Sequence, residues 1–422
     1  MIAIDFGTTN SSVAVLSGGD VAPRLQSLEL DFESYNAQVL PSVLCECSSD
    51  KCNAKRNTYG HEALRHGYEM QHNTNLLQEM KLHFDRSTIE PATLLETKSL
   101  VALREDRSGT LNPINKIQRV ARYDGDVPLK PKDFVPGTAS LVKELLRRSK
   151  VSDEDRKDVV LGVPASFGGV GIRHLREAAK RGAFGETGNY GGISLYSEPL
   201  AAARAYMEIA TGNTLVLDYG GGTLDITVMR IREPGKFDLN KDILGSSGFP
   251  EGGSEMDFQI LKHSLSKAGE TALKWFQEQP LSARQRIKRN VERAKIELSK
   301  EETVTVEFPN SPFKSTTLSP PDISHALQPI LTRMASIVTQ TVLRTVGSIE
   351  NIDFVIMSGG TSLSAAVQNA VLAMFGHLSK EQFILPDPND RSDVESCMCA
   401  VAKGLALLRA DGFAPINVDD AR

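Results

Sequence analysis

Aspartate stands directly before an aromatic residue and a glycine twice in this chain, at Asp5-Phe6-Gly7 and at Asp218-Tyr219-Gly220. The first copy runs on into Thr8 and Thr9, the second into Gly221, Gly222 and Thr223. Glycine amides at a hairpin tip can approach a phosphate closely and donate to it, because no side chain stands in the way. One such turn is weak ground for a site. Two in register, each entered through an aspartate on an apolar strand, point to phosphate binding. The aspartates make poor partners for a phosphate until a cation joins them. Asp5 and Asp218, one from each half, are expected to hold Mg2+ mainly through its waters, since that ion takes one or two carboxylates together with phosphate oxygens. Asp225, on the strand leaving the second turn, is a third carboxylate near the same tip.

The elements that must position these tips are legible around them. Alternating apolar residues in "MIAIDFGTTNSSVAVLSGG" and in "TLVLDYGGGTLDITVMRI" describe two β-hairpins of like build, one in each half. Neither a G-x-x-x-x-G-K-[ST] nor a G-x-G-x-x-G segment occurs, which excludes the single-loop nucleotide folds. A cleft between two similar lobes, clamping a polyphosphate from both sides, is the arrangement that remains.

Length agrees with two lobes, because 422 residues exceed one ordinary core. A composition of 40% hydrophobic and 24% charged residues with a net charge of -5 is that of a globular chain. It gives no electrostatic reason for a nucleic-acid or anionic-membrane partner. No apolar run nears the roughly 18 residues that span a bilayer, and the chain opens on a strand rather than a leader, so a cytoplasmic protein is expected. The odd count of five cysteines argues against a disulfide scaffold. "CECSSDKC" offers Cys45, Cys47 and Cys52 as zinc ligands, with His61 or the distant Cys397-x-Cys399 as the fourth, but buried thiols suit this non-standard spacing better.

Between the hairpins, "TASLVKELLRRS" and "IRHLREAAKRGAF" read as helices on either side of the strand "DVVLGVP". "EPLAAARAYMEIA" reads as a helix opened by Glu198 and Pro199. Its Ala201-Ala202-Ala203 run leaves it thin enough for a close crossing, with the small residues around Gly404 as partner. The expected division is 1–38 with 135–211 for the first lobe core and 39–134 for its insertion. The second lobe core takes 212–246 with 330–422, and 247–329 is its insertion. The last residues, "GFAPINVDDAR", are expected to fray.

The motifs then match a family in order. "IDFGTTNS", "VLGVPASF", "YSEPLAAARAY", "LDYGGGTLDIT", "EGGSEMDFQIL", "ERAKIELS" and "VIMSGGTSLSAAVQ" resemble the nucleotide-binding domain of the heat-shock protein 70 chaperones (DnaK type). The resemblance implies a two-lobed actin-like ATPase fold of class α/β, with duplicated ribonuclease H-like sheets and an inserted subdomain in each lobe. It implies ATP or ADP with Mg2+, and allows K+ as a further cation. Lys81 would reach the transferring phosphate, Glu198 and Asp218 would position the attacking water and the metal, Asp225 would assist proton movement, and Thr223 would touch the γ-phosphate. Nucleotide contacts would come from Gly7, Thr8, Thr9, Asn10, Gly220, Gly221, Gly222, Gly253, Glu255, Gly359, Gly360 and Thr361. Glu292, Lys295 and Ser299 would line the ribose and the adenine edge.

Three departures qualify the resemblance. On a helical wheel at 100° per residue, Ile287, Val291, Ala294 and Leu298 of the helix at about 282–300 form a core stripe, and Ile296 falls opposite it. The family places an arginine at Ile296 and another at Leu363, one on each face of the adenine ring. Aliphatic residues there forgo about 0.5 to 2 kcal/mol of cation-π attraction per face, so nucleotide binding with weaker or altered base selectivity is expected. After "VPASF" the family's arginine is displaced, with Arg173 one residue late. Nothing beyond residue 410 resembles a linker, peptide-binding sandwich or lid, so the chain looks similar to short YegD-like bacterial homologues without the client-binding part.

The function expected is an ATP-hydrolysing, chaperone-like switch whose cleft moves with nucleotide, with a client or co-chaperone protein as partner class. An actin-like filament former of the MreB kind shares the phosphate motifs, but Lys81 and the long first insertion argue against it. A nucleotide-gated module without turnover is opposed by the set Asp5, Lys81, Glu198, Asp218 and Asp225. A small-molecule kinase lacks an evident acceptor motif.

Overall fold

A computed structural model describes residues 1–17, 22–26, 28, 39–42, 44–47, 58–59, 63, 74–77, 81, 134–152, 154–165, 167–185, 192–233, 238–249, 251–279, 281–298 and 302–416. In the first half the chain forms β1 (Ile2–Phe6), β2 (Asn10–Val15), β3 (Arg24–Leu25), β4 (Val39–Pro41), β5 (Leu44–Cys47), β6 (Thr58–Tyr59) and β7 (Thr74–Leu77). Helix α1 (Phe134–Arg148), β8 (Asp158–Val163), α2 (Gly169–Phe184), β9 (Gly192–Ser197) and α3 (Glu198–Tyr206) follow. The second half begins with β10 (Gly212–Tyr219), β11 (Leu224–Ile231) and β12 (Ile243–Phe249). Then come α4 (Gly253–Ala268), α5 (Ala272–Glu278), α6 (Leu281–Glu297), β13 (Val304–Val306), β14 (Thr316–Leu318) and α7 (Pro320–Val346). Strand β15 (Phe354–Ser358), α8 (Ala365–Met374), β16 (Phe383–Ile384), α9 (Arg391–Met398) and α10 (Ala400–Ala410) complete it.

Two sheets repeat one plan. The first has the order β3-β2-β1-β8-β9, with β4 also on β2, and the second the order β12-β11-β10-β15-β16. In each, the three strands of the opening meander are antiparallel and the two later strands join in parallel. Parallel strands need crossover helices, and those helices cover the sheet faces, which is why the central strands are nearly continuous apolar runs. Period-two alternation then sorts the side chains. Ile2, Ile4 and Phe6 of β1 pack outward with α1 and α2, while Ala3 turns to the other face. Leu215, Leu217 and Tyr219 of β10 pack in the outer core of the second lobe, while Val216 turns inward. Among the described residues, β5, β6 and β7 form a small sheet of their own, and β13 and β14 a hairpin.

The inner faces share one core built from small residues, with Ala3 and Ala14 from the first sheet, Val216 and Ile356 from the second, and the alanines of α3 and α10. Helix α3, which follows the last strand of the first sheet, lies on β10 and β11 of the second; α10, which follows the second sheet, lies on β1, β2 and β8 of the first. They cross where Gly404 meets Ala201. A Cβ on Gly404 would stand 1.7 Å from the Ala201 carbonyl oxygen, so the two backbones touch. The thin-helix expectation is met here.

The expected boundaries fare differently. The expected division places 330–422 in the second lobe core, and its last helix, α10, packs on the first sheet. Strand β4, assigned to the insertion, pairs with β2. The divisions at 246/247 and 329/330 fall inside β12 and α7. Helix α7 runs through Pro329, opened by a capping box between Ser319 and Asp322 and closed at Gly347. Among the described residues no helix is long and apolar enough to cross a membrane.

Candidate functional site

The two aspartate-glycine turns sit at the same end of their sheets and face each other. A Cβ on Gly221 would lie 1.9 Å from Thr9 Oγ1, so the first turn rests directly on the second and only glycine fits there. The first turn, Gly7 to Thr9, is held from the β4 side: Ser42 donates its N–H to the Thr9 carbonyl at 2.7 Å and its hydroxyl to the Gly7 carbonyl at 2.7 Å. Thr8 is buried, and Asn10 begins β2. The second turn closes through Gly220 N–H to the Thr223 carbonyl at 2.9 Å. It is held from outside by Gly253 N–H on the Gly220 carbonyl at 3.0 Å and Ser254 N–H on the Gly221 carbonyl at 2.8 Å. The Thr361 hydroxyl also donates to the Gly220 carbonyl, at 2.8 Å. Gly222 is buried within this turn.

Behind the tips lies a cluster of charge. Asp5 is opposite Ser12 across the first hairpin, and Asp218 is opposite Asp225 across the second. Asp225 accepts from Ala165 N–H at 3.2 Å, a backbone donor of the first lobe, and from the Thr223 hydroxyl at 3.1 Å. Glu198, the first residue of α3, is ion-paired with Lys81, and both are buried. Burial pushes the Asp5 carboxyl up to about 8; Lys81 pulls against the rise, and the carboxylates of Glu198 and Asp218 add to it. Asp218 is pushed up to about 7 by burial and by the nearby Asp225 and Glu198. Asp225 is likewise pushed up to about 7, by burial and by Glu198. Burial works to lower the Lys81 ammonium, but Glu198 and Asp5 more than offset this and hold it above its ordinary value.

Burial and neighbouring carboxylates push Asp5, Asp218 and Asp225 up, and a hard cation would relieve that crowding of charge. This oxygen-rich chemistry fits Mg2+ at Asp5 and Asp218.

A second group of residues meets at Gly253. The position of a Cβ on Gly253 lies 2.6 Å from Thr361 Oγ1 and 3.3 Å from Lys295 Nζ. Lys295 donates to the Gly253 carbonyl at 3.1 Å and pairs with the buried Asp257 at 2.6 Å. One turn earlier on α6, Glu292 is hydrogen-bonded to Arg289; burial would raise its carboxyl, yet Arg289 and Lys295 hold it below its usual range. Ile287, Val291 and Ala294 are buried, as the wheel predicts, and Ile296 is 53% exposed. Gly359 and Gly360 follow β15, and a single 3-10 turn, Gly360–Leu363, leaves Leu363 half-buried. Glu255 is buried on α4 and accepts from Gln259 at 3.1 Å. Ser299 lies outside the described residues.

Sequence reasoning passed over Ser42, Ala165 and Asp257. Asp257 carried a usable signal, since it stands one helical turn after Gly253. Ser42 and Ala165 carried none, because pairing of distant strands brings them in. Cys397 and Cys399 are free and buried, and Cys397 donates to the Gly359 carbonyl at 3.2 Å. Burial pushes the Cys399 thiol up to about 12 and raises that of Cys397. Among the described residues no three or more His, Cys, Asp and Glu side chains gather as a metal-ligand group; the side chains of Cys45 and Cys47, with Cys52 and His61, lie outside them.

The family model described as Hsp70 protein matches residues 1–388. The chain is 29% identical over 399 residues to the chaperone protein DnaK of Thermus thermophilus, covering 89% of this chain and 57% of that protein. It is 26% identical over 407 residues to the chaperone protein DnaK of Deinococcus deserti, covering 92% of this chain and 57% of that protein. The chain therefore spans less than two thirds of the length of these relatives.

Proposed function

Because the chain belongs to the Hsp70 protein family, we propose that it binds Mg-ATP between its two matched turns and hydrolyses it slowly, as a chaperone-type nucleotide switch. The observation that carries this reading is the contact of Thr9 with Gly221, which brings two glycine cradles together in front of Asp5, Lys81, Glu198, Asp218 and Asp225.

The amides and hydroxyls of Gly7, Thr8, Thr9, Asn10 and Gly220 to Gly222 bind the phosphates. Mg2+, when bound, supplies neutralisation of the phosphate charge, with Asp5 and Asp218 holding it largely through water. Lys81 leaves part of its pairing with Glu198 to meet the transferring phosphate, so the ion pair stores a buried cation where charge will gather. Glu198 and Asp218 orient the water. Asp225, pushed up to about 7, is a proton acceptor matched to neutral pH. Thr223, tied to Asp225 at 3.1 Å, faces the γ-phosphate. Phosphoryl transfer asks for placement and charge neutralisation rather than covalent help, which suits rigid hairpins.

Gly253, Lys295, Glu292, Ser299 and the turn from Gly359 to Leu363 take the nucleoside end. Closure of the cleft between the halves is the proposed switching motion, a client or co-chaperone protein is the proposed partner class, and the cytoplasm, where the free thiols of Cys397 and Cys399 stay reduced, the proposed compartment. The family match over residues 1–388 favours this reading over a filament former. The test is Mg-ATP turnover by the wild type beside Lys81→Ala. Slow turnover that the substitution abolishes supports the reading; nucleotide binding without any turnover, or turnover untouched by the substitution, defeats it.

A further inference from the structure

Resting on the nucleotide reading above, we propose that Arg333 is a positioning residue for the phosphate end of the site: through Glu251 it sets the start of α4, and the start of α4 aims the amides of the second glycine turn. A trans peptide unit is planar, so a carbonyl and the N–H that follows it point in opposite directions. The Gly220 and Gly221 carbonyls are taken from outside by Gly253 N–H at 3.0 Å and Ser254 N–H at 2.8 Å. Holding those two oxygens turns the Gly221 and Gly222 N–H groups away from α4. The aim of these donors is therefore only as good as the placement of the first residues of α4.

The chain passes from the end of β12 at Phe249 to the start of α4 at Gly253 within residues 250–252. Gly252 lies so close to the turn that a Cβ on it would stand 2.6 Å from the Gly220 carbonyl oxygen, so it can bring no anchoring side chain of its own. Glu251, the residue before it, does. Its Oε2 accepts from Arg333 Nε at 3.0 Å and from Arg333 Nη2 at 2.8 Å, and its side chain is largely buried. Arg333 stands on α7, which packs on α4, β11 and β12. Two charge-assisted bonds from one planar group fix direction as well as distance. The residue that enters the turn lies in the field of the same pair. Burial pushes the Tyr219 hydroxyl well up, Glu251 and Glu255 add to the rise, and Arg333 opposes it. One ion pair thus stands beside both the entry of the turn and its outer support.

Steady-state Mg-ATP turnover and amide hydrogen exchange test this on the full chain, with the wild type, Arg333→Met and the double variant Arg333→Met/Glu251→Met, each kept well below its melting temperature. Methionine keeps an unbranched stem at 333 and removes both donors. The double variant also removes the carboxylate that the single one strands, and replacing a buried ion pair by apolar groups is often neutral or stabilising for the fold. In both variants kcat should fall by about ten- to a hundredfold, the usual result of a small misplacement, while KM changes by less than about threefold because the first turn and the nucleoside end still hold the nucleotide. Exchange should quicken at the amides of Gly253 and Ser254. A pair that served the fold alone would give back kcat in the double variant, and that result overturns the inference, as does a wild-type kcat in Arg333→Met. Either of these leaves the nucleotide reading standing. A wild type that turns over no Mg-ATP defeats that reading and this inference together.

Discussion

The two hairpins share a backbone and differ in one partner. Across the first, Asp5 faces Ser12; across the second, Asp218 faces Asp225. The supports differ as well. The first turn hangs on one serine beside an edge strand, while the second is fastened by two backbone amides of the α4 start and by Thr361. A duplicated fold has thus been given one hairpin with a single carboxylate and one with a carboxylate pair, the latter tied to Thr223 and to an amide of the opposite lobe. On the proposed function, the same strand order would yield a holding side and a reacting side, and the difference lies in side chains two strands wide.

Making the second hairpin resemble the first should have the largest effect. Asp225→Ser is expected to lower Mg-ATP turnover by about a hundredfold or more, the usual worth of a positioned proton acceptor, while nucleotide affinity changes by less than about threefold. Steady-state turnover and equilibrium binding on the same variant read the two separately.

The reverse exchange, Ser12→Asp, puts a second carboxylate beside Asp5 at a position only 1% exposed. At pH 8 it should cost about 3 kcal/mol or more of stability in chemical denaturation, because the new charge has no partner. If Ser12→Asp is neutral, the hairpins are more alike than their sequences. Between the lobes, Gly404→Ala forces the α3 and α10 backbones apart and should cost about 1 to 3 kcal/mol with both hairpins intact, seen as a lower melting temperature.

The smallest expected effect is a slope with pH. Asp5, Asp218 and Asp225 rise from the ordinary 3.8 to about 8, 7 and 7 on folding, so the folded chain binds more protons than the unfolded one between these limits. The stability they contribute is complete below the unfolded value and is lost as pH rises through about 7 to 8. Without metal or nucleotide, the melting temperature should therefore fall by a few degrees from about pH 5.5 to about pH 8.5. Asp225→Ser should flatten the slope, and a wild-type melting point that rises over this range would contradict the burial of the cluster.

Much of this was legible in the sequence because it is local. Both turns, the register that sets Asp225 near Asp218, the α6 stripe with Ile296 outside it, and the pairing of the alanine helix with Gly404 all follow from periodicity over a few residues. What was not legible is set by contacts between distant segments. Hydropathy along the chain cannot say that α10 will cover the first sheet or that β4 will join β2. The buried pair Lys81 and Glu198 stands between these cases: Glu198 opens a helix the sequence marks clearly, whereas Lys81 by itself reads as an ordinary solvated lysine. Family resemblance, not local pattern, singled it out.

The exchange of α3 and α10 has a consequence for how the molecule can be taken apart. Each sheet owes its inner cover to the helix that follows the other sheet, so a cut between residues 211 and 212 would leave each fragment with a bare apolar face and a helix shaped for the missing half. In topology the chain is a domain-swapped pair joined end to end. Such fragments should be sticky when alone and restore each other when mixed, behaving as complementary halves of a single cooperative unit rather than as two domains on a tether.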